Sequence, residues 1–120
     1  MQEQGALSPH IYLTSTYTQD SYEGFEEILT GERDGYVYGR TRNPTQALLE
    51  ERLASLEGAQ AAVVTTSGIA AIAATVLTLL QNGDEIVVDE IVYGTAFTLF
   101  SQGLARFGIR AVFADFTRPE

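Results

Sequence analysis

Cysteine, lysine and tryptophan are absent from this chain of 120 residues, and histidine occurs once, at His10. Without cysteine there are no disulfides, no thiolate metal sites and no cysteine nucleophile. A reducing compartment fits, and a cytoplasmic protein is expected. A single histidine leaves a His-based metal cluster or a Ser-His-Asp triad little to draw on, so no metal site is expected. All seven basic residues are arginines, against 16 acids and a net charge of −9. That balance argues against nucleic acid or an anionic membrane as a partner. The first ten residues, MQEQGALSPH, lack a basic region followed by an apolar run, so no signal peptide is expected. Residues 58–83 carry no charge, but "TTSG" interrupts them. A short strand followed by a helix explains this stretch better than a span of about 20 apolar residues.

What is present points to a soluble globular chain with enough length for one domain. A domain of this size buries about two-thirds of its unfolded surface. Residues 1–42 read as an extended arm, rich in aromatics (Tyr12, Tyr17, Tyr22, Phe25, Tyr36, Tyr38) and expected to dock on a neighbouring subunit. "FEEILTGERDG" within it has the makings of one or two helical turns ending before Gly31. From Asn43 the pattern sharpens. Asn43 caps a helix, Pro44 takes its first position and Gly58 lies past its end. Leu49, Leu53 and Leu56 form one stripe along it. Ala61–Thr66 reads as a buried strand. A helix follows over Ile69–Leu80, with Ile69, Ile72, Val76 and Leu79 on one face and alanines on the other, so packing on both sides is expected. "EIVV" is a second strand, and "TAFTLFSQGLARF" a helix with Phe97, Phe100, Leu104 and Phe107 on one stripe. "IRAVFAD" is a third strand. Helices alternating with strands predict an α/β fold with a parallel sheet and right-handed crossovers.

Three places carry chemistry. At "VVTTSGIAA" a strand runs through Ser67-Gly68 into a helix. The first turn of a helix offers free N–H groups and the positive end of its dipole, and glycine lets an anion approach the backbone. A phosphate held by the amides of Gly68 and Ile69 fits; a plain helix cap explains the same residues. No G-x-G-x-x-G or G-x-x-x-x-G-K-[ST] is present to support a nucleotide. In "YVYGRTRNPT", Tyr38 and Arg40 lie two residues apart and share a side if the segment is extended. An arginine grips phosphate with two parallel hydrogen bonds; a pair of solvated charges is the plainer account. Tyr93, in "DEIVYGTAF", stands at the carboxyl end of a strand, where ligands of open α/β sheets collect. It is either an ordinary half-buried aromatic or a ring that stacks on a flat cofactor with a hydroxyl for proton transfer.

The segments "YGRTRNPT", "LEERLASLEG", "TTSGIAAI", "LLQNGDEIVV" and "YGTAF" come in an order and at spacings that resemble the pyridoxal-phosphate-dependent enzymes of cysteine and methionine metabolism. This family includes methionine γ-lyase, cystathionine synthases and lyases, and the acyl-homoserine sulfhydrylases. The resemblance runs from about residue 9 onward. It implies an N-terminal arm (1–42) followed by the first part of a three-layer α/β cofactor domain (43–120), of fold type I and similar to aspartate aminotransferase. It implies that pyridoxal 5'-phosphate is bound through the Gly68 and Ile69 amides beside Ser67. Tyr38 and Arg40 would reach the same phosphate from the adjacent subunit. Tyr93 would stack on the pyridine ring and assist proton transfer, as the catalytic residue. Arg42 receives no role and is left as a surface or interface charge.

Two departures matter. The family attaches its cofactor through a lysine and holds the pyridine nitrogen with an aspartate, both further along family chains. A chain with no lysine is expected to be inert alone and to act as a portion of a longer or split enzyme, or else as a non-catalytic interaction module. Similar γ-lyases read "YGCT", where Thr95 stands here. The helix that follows still resembles the γ-lyases, which implies C–S cleavage of a sulfur amino acid by γ-elimination, with γ-replacement as the alternative. A transsulfuration role and a homotetramer built as a dimer of dimers are implied in the same way.

Overall fold

The computed structural model describes residues 6–118. They separate into two compact units, one up to Val64 and one from Thr65 on.

In the first unit, the chain enters extended and is pinned to the start of a helix further along. The Tyr12 amide donates to Thr45 Oγ1 (2.9 Å), and Asn43 Nδ2 donates to the Tyr12 carbonyl (3.1 Å). Helix α1 (Tyr22–Thr30) then forms within the arm. Ser21 caps it by accepting from the Gly24 amide, and Gly31 ends it. The chain returns antiparallel to its own beginning. Thr16 bridges Tyr38, the Tyr17 amide donates to the Val37 carbonyl (3.2 Å), and the Gly39 amide donates to Ser15 (2.8 Å). Gly39 suits the close approach there, since a Cβ would stand 3.3 Å from the Thr14 carbonyl and press on it. Helix α2 (Pro44–Glu57) begins at the Asn43 cap with Pro44 in its first turn. It ends at Gly58, whose φ of 63° is left-handed and suits glycine.

Two expectations for this unit are corrected. Leu49, Leu53 and Leu56 remain exposed on α2, and the residue it buries is Ala54. Ala61–Thr66 forms no ladder among the described residues, and Val63 is exposed. A strand exists only where a neighbour accepts its hydrogen bonds, and here side chains of α2 take them. The Val64 amide donates to Glu50 Oε1 (2.9 Å), and Gln46 Nε2 donates to both Glu50 (2.9 Å) and the Val64 carbonyl (3.3 Å).

In the second unit, helix α3 (Gly68–Leu79) leads to strand β1 (Glu85–Asp89). A helical stretch follows in three parts: α4 (Gly94–Thr98), a π-helical turn over Leu99–Gly103 and a 3-10 turn over Leu104–Phe107. Strand β2 (Arg110–Ala114) then pairs parallel with β1 in the register Glu85↔Arg110 to Asp89↔Ala114. The β1-helix-β2 order is that of the α/β class read from the sequence. Glu85 and Arg110 are also ion-paired. Val76, Val88, Ala96, Phe100, Leu104 and Ile109 form the core.

The π turn changes which residues that core receives. The Leu104 amide reaches back to the Leu99 carbonyl, five residues away, so the expected stripe slips in register. Phe100 and Leu104 are buried, while Phe107 lies outside. Phe97 keeps one face on the Phe113 ring, at 4.8 Å. Helix α3 packs on one side only. Val76 is buried, but Ile72, Leu77 and Leu79 are exposed.

Leu104 has no exposed surface. Leu104→Ala removes its contacts from the centre of the second unit and is expected to destabilise it by about 2–5 kcal/mol, measured by chemical denaturation. A second expectation concerns Glu50. The Val64 amide, then Gln46, hold its carboxyl below the usual glutamate range. A depressed folded-state pKa means the stabilisation is fully present above the unfolded-state pKa and is lost as pH falls through the folded value. The stability gap between wild type and Glu50→Ala should therefore close in acid. The Val64 amide resonance should titrate with a midpoint below that of an ordinary glutamate.

Candidate functional site

Ser67 starts α3 by accepting a hydrogen bond from the Ala70 amide at 3.2 Å. That bond uses a lone pair of the hydroxyl and leaves its proton free to donate. The Ala71 amide is satisfied by the Ser67 carbonyl. Among the described residues, the amides of Gly68 and Ile69 have no acceptor. A Cβ placed on Gly68 would meet nothing within 4 Å, so the backbone there is open to an approaching group. Two free N–H groups, one free hydroxyl and the positive end of a 12-residue helix thus lie together at the α3 start.

Tyr93 lies on the same unit, immediately before α4, and 78% of it is exposed. It is thus neither half-buried nor committed to the core. The preceding loop is fixed at the carboxyl end of β1, where Asp89 Oδ1 accepts from the Ile91 amide (3.0 Å) and the Glu90 amide donates to the Ala114 carbonyl (3.0 Å). Two residues after Tyr93, Thr95 lines a shallow groove that Ile69 also lines. The start of α4 and the start of α3 are therefore neighbours.

Tyr38 and Arg40 lie in the first unit. They do pair, with the Arg40 guanidinium 5.1 Å from the centre of the Tyr38 ring. The reason differs from the alternation read in the sequence. Tyr38–Arg42 is a tight turn in which the Tyr38 carbonyl accepts from the Thr41 amide (3.0 Å), the Thr41 hydroxyl (2.7 Å) and the Arg42 amide (3.2 Å). Among the described residues, no carboxylate lies within ion-pair distance of Arg40.

Sequence reasoning gave Arg42 no role, and the structure gives it Asp34 and Tyr36 as contacts and a charge interaction with Glu50. It donates to Asp34 at 3.1 Å and stands 5.4 Å from the centre of the Tyr36 ring. The alternating Tyr-x-Tyr-x-Arg-x-Arg order over Tyr36–Arg42 was the available signal.

The family of Cys/Met metabolism PLP-dependent enzymes matches residues 1–120. This chain belongs to that family. Among curated relatives, it is 45% identical over 109 residues to an L-methionine gamma-lyase of Pseudomonas deceptionensis, covering 91% of this chain and 27% of that protein. It is 43% identical over 105 residues to an O-succinylhomoserine sulfhydrylase of Mycobacterium tuberculosis, covering 88% of this chain and 26% of that protein. Among solved structures, a putative O-acetylhomoserine (thiol)-lyase of Campylobacter jejuni superposes with a TM-score of 0.88 at 30% identity. That match covers 98% of this chain and 29% of the other, which carries N'-pyridoxyl-lysine-5'-monophosphate. The chain spans just over a quarter of the length of the curated relatives it matches.

For a member of this PLP-dependent family, the α3 start fits the phosphate end of the cofactor: the donors are free, and the glycine leaves the approach clear. Gly68→Ala is expected to leave stability unchanged or raised by under about 1 kcal/mol, because alanine is the better helix former, while weakening cofactor phosphate binding. Ser67→Ala is expected to lower stability by about 1 kcal/mol through loss of the cap. Thermal unfolding and cofactor titration of each variant separate the two effects.

Proposed function

We propose that this chain supplies the phosphate-binding turn and the ring-stacking tyrosine of a PLP-dependent enzyme that cleaves the C–S bond of a sulfur amino acid by γ-elimination. The observation that carries this reading is the start of α3, with its open Gly68, two unpaired amides and free Ser67 proton. The arm of residues 1–42 lies on a sister subunit, and residues 43–120 begin the cofactor domain. The assembly is a homotetramer in the cytoplasm, with a place in transsulfuration chemistry.

When bound, pyridoxal 5'-phosphate supplies the electron sink that acidifies the amino acid's carbon next to nitrogen. The residues of this chain do the rest of what is assigned here. Gly68 and Ile69 bind the phosphate through their N–H groups, and the Ser67 hydroxyl donates to it. From the adjacent subunit, the Tyr38 hydroxyl and the Arg40 guanidinium close over the same phosphate. Tyr93 lays its ring against the pyridine, and its hydroxyl gives a proton to the departing sulfur. With no lysine among its residues, the chain alone is inactive, and the lysine comes from other sequence in the assembly.

Replacement at the γ-carbon is the second reading, favoured by the sulfhydrylase relative and the thiol-lyase neighbour. A non-catalytic module is the third, favoured by the missing lysine.

Arg40→Ala removes a charge-assisted contact worth about 1.5–3 kcal/mol, so cofactor affinity in the assembled enzyme should fall about 10- to 100-fold with the fold intact. Equal affinity would remove the cross-subunit clamp. Thiol release from a sulfur amino acid alone supports elimination, whereas turnover only with an acyl-homoserine and added thiol supports replacement. An assembly that binds no cofactor with all its chains present supports the non-catalytic reading.

A further inference from the structure

Arg42 is the residue for which neither the sequence nor the family resemblance offers a task. Its contacts place it under the loop that carries Tyr38 and Arg40. From its position at the end of the tight turn, its side chain runs back to Asp34 (3.1 Å) and to the Tyr36 ring (5.4 Å). It therefore closes the segment 34–42 into a loop with Tyr38 and Arg40 inside it. The other support comes from the arm, where Thr16 bridges Tyr38 and Gly39 is bonded to Ser15. Tyr36 is fixed in turn: Gln19 Nε2 donates to its carbonyl at 2.8 Å, and its ring lies 5.6 Å from that of Tyr17. Arg42 thus ties the free side of the loop to an anchored aromatic.

Neither contact is a plausible stabiliser of the unit as a whole. Asp34 is 97% exposed at its side chain, and exposed ion pairs contribute little to stability. What such a pair can do is narrow the set of conformations of one surface loop. A phosphate clamp needs that, because affinity is lost when a loop must be ordered on binding.

We propose that Arg42 is a positioning residue, which with Asp34 and Tyr36 pre-orders the turn so that Tyr38 and Arg40 present a hydroxyl and a guanidinium together to the cofactor phosphate. This rests on the clamp reading of Tyr38 and Arg40 given above. The Tyr36 ring, 5.4 Å from the guanidinium, and the Asp34 carboxylate, at 3.1 Å, together hold the Arg42 side chain in place.

The test uses the full assembled enzyme stripped of cofactor and titrated with pyridoxal 5'-phosphate, with thermal unfolding measured in parallel. Arg42→Ala should weaken affinity about three- to tenfold, the scale of one exposed ion pair plus one cation–π contact, with the unfolding midpoint unchanged. Asp34→Ala should give a smaller loss, and the double variant no more than Arg42→Ala. Arg42→Lys should recover part of the affinity, since it keeps the charge and loses the planar stack. The coupling between Asp34 and Arg42 should fade in 1 M salt, where the screening length is about 3 Å. Wild-type affinity in Arg42→Ala, alongside a loss in Arg40→Ala, would overturn the proposal and leave the clamp standing. Wild-type affinity in Arg40→Ala would overturn both. A matching fall in thermal midpoint would make Arg42 a merely structural residue and also overturn the proposal.

Discussion

A helix begins with more N–H donors than it has acceptors, and at α3 the chain leaves that imbalance open. Ser67 satisfies the Ala70 amide through its hydroxyl and the Ala71 amide through its carbonyl. The amides of Gly68 and Ile69 remain, pointing along a helix dipole whose positive end lies at the same place. Gly68 leaves the backbone open there, and among the described residues no side chain takes the Gly68 or Ile69 amide. The cap that fixes where α3 starts and the donors that suit an anion are therefore two consequences of one local sequence, and the cap reading and the phosphate reading do not compete.

The parts of the fold legible in the sequence are those decided within a few residues. Asn43 with Pro44, Gly58, and Ser67 with Gly68 mark helix ends by chemistry that acts over one turn, and each does so in the structure. The parallel pair β1 and β2 was also legible, because each strand is a short apolar run bounded by turn residues. What was not legible depends on neighbours. Ala61–Thr66 has the composition of a strand, but its Val64 amide is taken by Glu50 from α2, a residue whose spacing gave no hint of that bond. The aromatic stripe after Tyr93 was read at a uniform 3.6-residue period. A single i→i+5 turn at Leu99 shifts that period, and the last member of the stripe, Phe107, falls outside the core while Leu104 stays at its centre.

The Tyr38 and Arg40 pair shows the same limit from the other side. The expectation was right about the partners and wrong about the backbone that brings them together. Alternation along an extended segment and a three-donor turn on one carbonyl put the two side chains in similar places, yet they respond differently to substitution. An extended segment tolerates most changes at position 41. The turn uses both the amide and the hydroxyl of Thr41. The proximity of Tyr38 and Arg40 was legible from the sequence, whereas the turn that brings them together was not.

The distribution of charge supports the distinction between arginines that build and arginines that wait. In a chain of net charge −9, carboxylates are plentiful. Among the described residues, Arg33, Arg42, Arg110 and Arg118 are paired with Glu27, Asp34, Glu85 and Asp115. Arg40, Arg52 and Arg106 are not, although Arg42, two residues from Arg40, is. The Arg40 guanidinium rests on an aromatic face, a contact that orients a cation without neutralising it. A cation kept unpaired on an acidic protein, held on a bonded turn beside a phenol hydroxyl, retains its full attraction for an anion supplied from elsewhere. That is the electrostatic condition a phosphate clamp requires, while the carboxylate of Asp34 in the same loop is taken by Arg42.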